Sequence, residues 1–252
     1  MWEPVLMKSP FALSAGMLAG VGLLTQLAVV HAQPAAPAFT NHVLELDGTG
    51  GCVELPPNIF NDLDEATVEA WVRWDDFSGS FKRVFNYGDA LRDLSTTSGN
   101  GTTSAGFVVV EPTGKSADLH WISIGDILRS QQWVHVAGVA GKGGTKLYLN
   151  GALVGTNAYT GSFSGVTNGT RNYLGQTAST NDPPSNFKGA MDEVRVWRVA
   201  RSAEQIRQTM FQRLTGREEG LAALWNFDDM ADGVVKDSSS PRRTSPRKTA
   251  SG

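Results

Sequence analysis

The chain has 252 residues, a formal net charge of −3 and 28 glycines, and 40% of it is hydrophobic. These values fit one large turn-rich β domain and exclude a broadly basic nucleic-acid binder. The single cysteine, Cys52, excludes an intrachain disulfide, and its setting in Cys52–Val53–Glu54–Leu55 reads as a small buried side chain.

Residues 1–32 stand apart. Lys8 precedes an apolar run from Phe11 to Val30, and Val30–His31–Ala32 places small residues where a signal peptidase cuts. Cleavage after Ala32 and retention as a signal anchor are the two readings. Both export the remainder of the chain, so the expected location is secreted or extracellular. Residues 33–38 form a Pro/Ala linker.

From Phe39 to Asp229 the pattern is that of short strands. His42–Leu46 and Cys52–Leu55 flank the turn Asp47–Gly48–Thr49–Gly50–Gly51. In Ala66–Trp74, Val68, Ala70, Val72 and Trp74 share one face, expected to be core, and Thr67, Glu69, Trp71 and Arg73 share the other. Phe81–Tyr87, Ala105–Glu111 and Ala117–Ser123 come next as strands separated by Gly/Ser/Thr/Asp loops. Trp133–Val139, Lys146–Leu149 and Ala152–Gly155 make an antiparallel triplet, and its Asn150–Gly151 turn suits positive φ at both centres. Arg171–Gly175 is a further short strand, and residues 176–187 a polar loop.

Ala190–Val199 alternates again, placing Asp192, Val194, Val196 and Arg198 on one side and Glu193, Arg195 and Trp197 on the other. The one helix expected is Ala203–Leu214. Ser202 and Gln205 compose a capping box, Ile206, Met210 and Leu214 an apolar stripe, and Gly216 the stop. The helix is too short to cover a sheet, and its stripe is expected at one edge or end. Leu221–Phe227 closes the fold, with Trp225, like Trp133, read as core. The expected fold class is all-β, a two-sheet antiparallel jelly-roll sandwich with one short C-terminal helix. Residues 230–252 read as a basic disordered tail carrying Arg242, Arg243, Arg247 and Lys248, or as the start of a further domain.

Four segments in order, LELDGTGGCVELP, ATVEAWVRW, QQWVHVAGVAGKGGTKLYLNGALVG and FKGAMDEVRVWRVARSAEQI, resemble the laminin-G-like concanavalin A-type jelly rolls of secreted multidomain proteins. The resemblance implies two packed sheets, a concave face, and loops that bind glycans or calcium; it does not imply one function, because the fold hosts binding modules and enzymes alike. It places a structural calcium ion at Asp47 and Asp192, against ordinary turn and capping chemistry for the same two residues. A rim site at Asp89, Asn181 and Asp182 is a weaker alternative. For a sugar ring, exposed aromatics are the natural platform. Trp71 and Trp197, each opposite its strand's core residues, are the candidates, with Arg73 and Arg195 as polar partners.

Three functions are compatible with these features: a non-catalytic module binding a glycan or glycoprotein, a structural adhesion domain binding an extracellular protein, and a glycoside hydrolase. The hydrolase reading rests on Glu65 and Glu69, which have the outer spacing of a carboxylate pair on one strand, with Thr67 where related enzymes carry an Asp. His42, His120 and His135 lie in no nucleophile or zinc motif.

Overall fold

The computed structural model describes residues 41–89, 92–113, 116–166, 170–178, 186–230 and 233–239. The chain divides into Met1–Phe39 and Thr40–Gly252, and all described residues belong to the second unit. The signal segment, the linker, Asn181, Asp182 and the four basic tail residues lie outside the described residues.

Thirteen strands, one α-helix and a single 3-10 turn at Phe163–Gly165 are described: β1 Leu44–Asp47, β2 Val53–Leu55, β3 Ala66–Trp74, β4 Arg83–Asp89, β5 Arg92–Gly99, β6 Thr102–Thr113, β7 Ser116–Ile124, β8 Trp133–Ala140, β9 Thr145–Leu149, β10 Ala152–Asn157, β11 Asn172–Leu174, β12 Lys188–Trp197, α1 Ala203–Thr209 and β13 Leu221–Trp225. All strand pairs are antiparallel. Sheet one runs β1-β12-β3-β8-β9-β10, with β13 also pairing β12; sheet two runs β2-β11-β4-β5-β6-β7. The expected jelly-roll sandwich is therefore the fold. The turn Asp47–Gly51 carries the chain from one sheet to the other, since β1 and β2 lie in different sheets.

The core lies between the sheets. Val68, Ala70, Val72 and Trp74 of β3 face Phe85, Tyr87, Leu94, Phe107 and Val109 of sheet two in one apolar cluster, as their alternation requires. Trp225 joins this core, but Trp133 remains 37% exposed, stacked beneath Arg73 at 5.8 Å. The Asn150–Gly151 turn has φ of 48° and 74°, the left-handed values its two residues tolerate.

Three features depart from the sequence pattern. First, β5 (RDLSTTSG) is a central strand of sheet two, although its Ser/Thr-rich composition reads as a loop. Second, α1 ends at Thr209, so Ile206, Met210 and Leu214 do not share one helical stripe. The helix lies on the outward face of sheet one, not at an edge: Ile206 packs on Ala137, Val139 and Tyr148. Leu214 separately packs on Trp197 and Leu224. The capping box of Ser202 and Gln205 is present as expected. Third, the ordered chain runs on past Asp229. The Ser238 N–H donates to the Leu224 carbonyl at 2.7 Å, and the Asp237 carboxylate accepts from the Leu224 N–H at 3.0 Å.

β12 also carries a bulge between Asp192 and Arg195, with Glu193 at φ 49°. Met191 pairs with Val72 and Asp192 with Trp71, so the bulge moves Asp192 off the side of Val194 and onto the outward side. It falls where the edge partner of β12 changes from β1, which pairs residues 188–191, to β13, which pairs 194–197.

Candidate functional site

The two outward faces of the sandwich differ in kind. On sheet one the outward residues of β3 and β12 include Thr67, Glu69, Trp71, Arg73, Asp192, Arg195 and Trp197. The segment after β12 folds back over them. Glu69 Oε1 accepts from Arg201 Nη1 at 3.0 Å, Trp197 Nε1 at 2.9 Å and Arg195 Nη1 at 3.4 Å. Arg195 also bonds Glu193 Oε2 and the carbonyls of Thr209 and Gln212. Arg201 lies over the Trp197 ring at 3.9 Å and bonds the Gln205 carbonyl and Thr209 Oγ1. Burial, ahead of the nearby Arg195 charge, pushes the Arg201 guanidinium below its ordinary range, and the Glu69 carboxylate opposes that.

The expectation of an exposed platform at Trp197 and Arg195 is therefore corrected. Both are buried, at 3% and 1% exposure, and they lock the helical segment to the sheet. Trp71 is half-buried: its Nε1 donates to the Met210 carbonyl at 2.7 Å and its ring meets Phe211 and His135. Arg73 is held by Asp75 at 2.9 and 3.1 Å. The same network removes Glu69 from any cleft, so Glu65 and Glu69 cannot act together on a glycosidic bond.

His135 sits beneath this network. Burial first, then the charges of Arg195 and Arg201, pushes its imidazole down to about 3. The folded state thus keeps His135 neutral where the unfolded chain protonates below its ordinary value of 6.5. Its contribution is complete above that pH and is lost progressively as pH falls toward the folded value. Between pH 6.5 and 4.5 this costs about 2 kcal/mol. His135→Leu should flatten the wild-type fall in melting temperature over that window; parallel curves for the two proteins would contradict the assignment.

Asp47 and Asp192 do not share a site. Asp47 pairs with Lys188 and Leu44 with Met191, so the two carboxylates stand at opposite ends of the β1–β12 ladder. Both Thr49 donors bond Asp47 Oδ1, which holds its carboxyl below the usual range. Asp192 Oδ2 accepts from Asn41 Nδ2 at 2.9 Å and Oδ1 from the Glu193 N–H at 2.7 Å, donors that suit a carboxylate. Among the described residues no three Asp, Glu, His or Cys side chains converge as a metal site. The two residues therefore do not form the shared calcium site expected of them.

Sheet two presents its outward face differently. The register places Glu54, Tyr173, Asn86, Ser95, Val108 and Trp121 in one row across β2, β11, β4, β5, β6 and β7. Beside it run Arg83, Thr97, Gly106 and Ser123. Trp121, partly exposed, lies against Gly106: a Cβ there would come within 3.2 Å of Trp121 Cζ2. Phe81 stands edge-on to Trp121 at 5.3 Å and 61°, and Arg83 lies 5.9 Å from the Phe81 ring. Arg83 Nε donates to Thr177 Oγ1 at 3.2 Å and Nη1 to Ser95 Oγ. Arg83, Ser95, Thr97 and Thr177 are themselves buried, so what this face presents is the partly exposed Trp121 indole, a ring able to stack on the C–H face of a sugar. Sequence reasoning misses Trp121. A signal for it is present nonetheless: in DLHWISI, Leu119, Trp121 and Ser123 alternate with His120 and Ile122, of which Ile122 is core.

A two-sheet sandwich with one face closed by a helix and the other polar, aromatic and rigidly supported has the form of a lectin-like domain. The sequence matches the profile of the Concanavalin A-like lectin/glucanases superfamily over residues 47–207, and the chain belongs to that family. No curated protein matches it. Among solved structures it is similar to a protein from Bacteroides ovatus assigned, without proof, to carbohydrate binding, with 22% identity and a TM-score of 0.55 over 79% of this chain and 52% of that one. This chain thus spans about half the length of that relative. The CBM40 module of the Ruminococcus gnavus IT-sialidase, bound to α2,3-sialyllactose, gives 17% identity and a TM-score of 0.56 over 66% of this chain and 95% of the module. A SAP-like pentraxin from Limulus polyphemus gives 17% and 0.50 over 78% and 94%. At these identities the likeness is one of fold.

Proposed function

We propose that this chain is an exported, non-catalytic recognition module that binds a glycan on the outward face of sheet two. The observation that carries the reading is Trp121, a partly exposed indole laid on Gly106 and braced by Phe81, whose ring meets the buried Arg83 guanidinium. A binding face needs such fixed geometry, because a preorganised surface loses little entropy on complex formation. The glycan partner draws support from the sialyllactose-bound CBM40 structure, whose fold this chain resembles. Non-catalysis draws support from the burial of Glu69, at 1% exposure, under two arginines. A glycan array probed with the folded protein tests the proposal. Saturable binding to a restricted set of sugars is the expected result; a folded protein that binds none of them overturns it.

A further inference from the structure

On sheet one, far in register from the Trp121 row, the β12 bulge opens a second feature. A cavity of about 220 Å³ lies between the bulge and residues 210–213, lined by Asn41, Trp71, Asp192, Glu193, Phe211 and Arg213 among others. It is smaller than the roughly 300–1,000 Å³ of sites that enclose whole drug-sized ligands, so it suits a head group.

Its charges are not evenly matched. Glu193 is paired with Arg195 at 2.9 Å, and Arg213 with Asp228. Asp192 is 8% exposed and receives only neutral donors, Asn41 Nδ2 and the Glu193 N–H, while no lysine or arginine of the described residues lies in ion-pair contact with it. Those two bonds leave lone pairs free, since a carboxylate accepts at about four positions. Burial pushes the Asp192 carboxyl up, with the Asp228 charge adding to it and the Arg195 charge opposing. A buried anion in that condition is stabilised by a cation brought to it.

Two aromatic rings line the same cavity. Trp71 and Phe211 are 5.3 Å apart at 42°, and the hydrogen bond from Trp71 Nε1 to the Met210 carbonyl fixes the indole. Phe211 is 76% exposed, a large apolar ring left at the lip of the cavity rather than packed. Two rings and a carboxylate lining one cavity attract a positively charged group that is itself apolar at its surface.

We propose that this cavity binds a quaternary or methylated organic ammonium group, with Asp192 as its counter-ion and Trp71 and Phe211 as its cation–π walls. The site is independent of sugar binding on sheet two.

The test is a calorimetric titration with tetramethylammonium chloride at constant ionic strength set by NaCl. The neutral isostere 3,3-dimethylbutan-1-ol is run beside it. Saturable binding of the cation alone is expected. Asp192→Asn should weaken it by about tenfold or more, and Phe211→Ala, a surface change that leaves the fold intact, by a few-fold. Binding no different from that of NaCl overturns the proposal. So does equal affinity for the alcohol, or an affinity unmoved by both substitutions.

Discussion

Glu69→Gln lowers the melting temperature by about 10 °C and leaves the sheet-two face intact. Glu69 Oε1 alone takes Arg195, Arg201 and Trp197 Nε1, and the side chain of Glu69 has no exposed surface. Removing its charge leaves two buried guanidinium groups with Glu193 as their one carboxylate partner among the described residues. Breaking such a buried arrangement from one side costs about 3–5 kcal/mol, because the uncompensated charge stays where it was. For a domain of this size each kcal/mol moves the midpoint by about 2–4 °C. Glutamine keeps an acceptor oxygen, which places the outcome toward the lower part of that range. A melting curve for Glu69→Gln that coincides with the wild type would mean that the helical segment is held without the Glu69 charge, by Ile206, Leu214 and the bonds of Trp71 and Arg195 to its carbonyls.

Trp121→Ala should abolish most glycan affinity, by about tenfold or more, with little change in stability. Truncating a buried-on-binding tryptophan commonly removes about 2 kcal/mol or more, and about 1.4 kcal/mol is a factor of ten in affinity. The ring is partly exposed in the free protein and rests on a glycine. Its loss therefore opens no core cavity. Trp197→Ala is the informative contrast: Trp197 is buried against Leu214 and Leu224, so that change should cost stability and leave affinity unaltered in whatever protein remains folded.

The frame of the molecule is legible in the chain because its signals are local. Val68, Ala70, Val72 and Trp74 alternate with polar neighbours, Asn150–Gly151 specifies its turn, and Ser202 with Gln205 starts the helix. The binding face is less legible for a physical reason. A strand built of Ser and Thr lacks apolar alternation even where its outward residues are covered, and β5 is such a strand, with Ser95 and Thr97 outward yet only 0% and 2% exposed. The same holds for the choice of face. Trp71 and Trp121 are both opposite the core of their strands, and only the path of residues 199–214 decides that the first is roofed. That path depends on contacts separated by more than a hundred residues, such as Arg201 with Glu69. The bulge at Glu193 is equally hidden, since DEVRV reads as unbroken alternation.

If sheet two, and not sheet one, meets the sugar, the tryptophan indole N–H resonances report it most directly while the strongest array binder is added. Movement of the Trp121 signal, with Trp197 and Trp225 stationary, is the predicted result. A stationary Trp121 signal together with a moving Trp197 or Trp71 signal would contradict it.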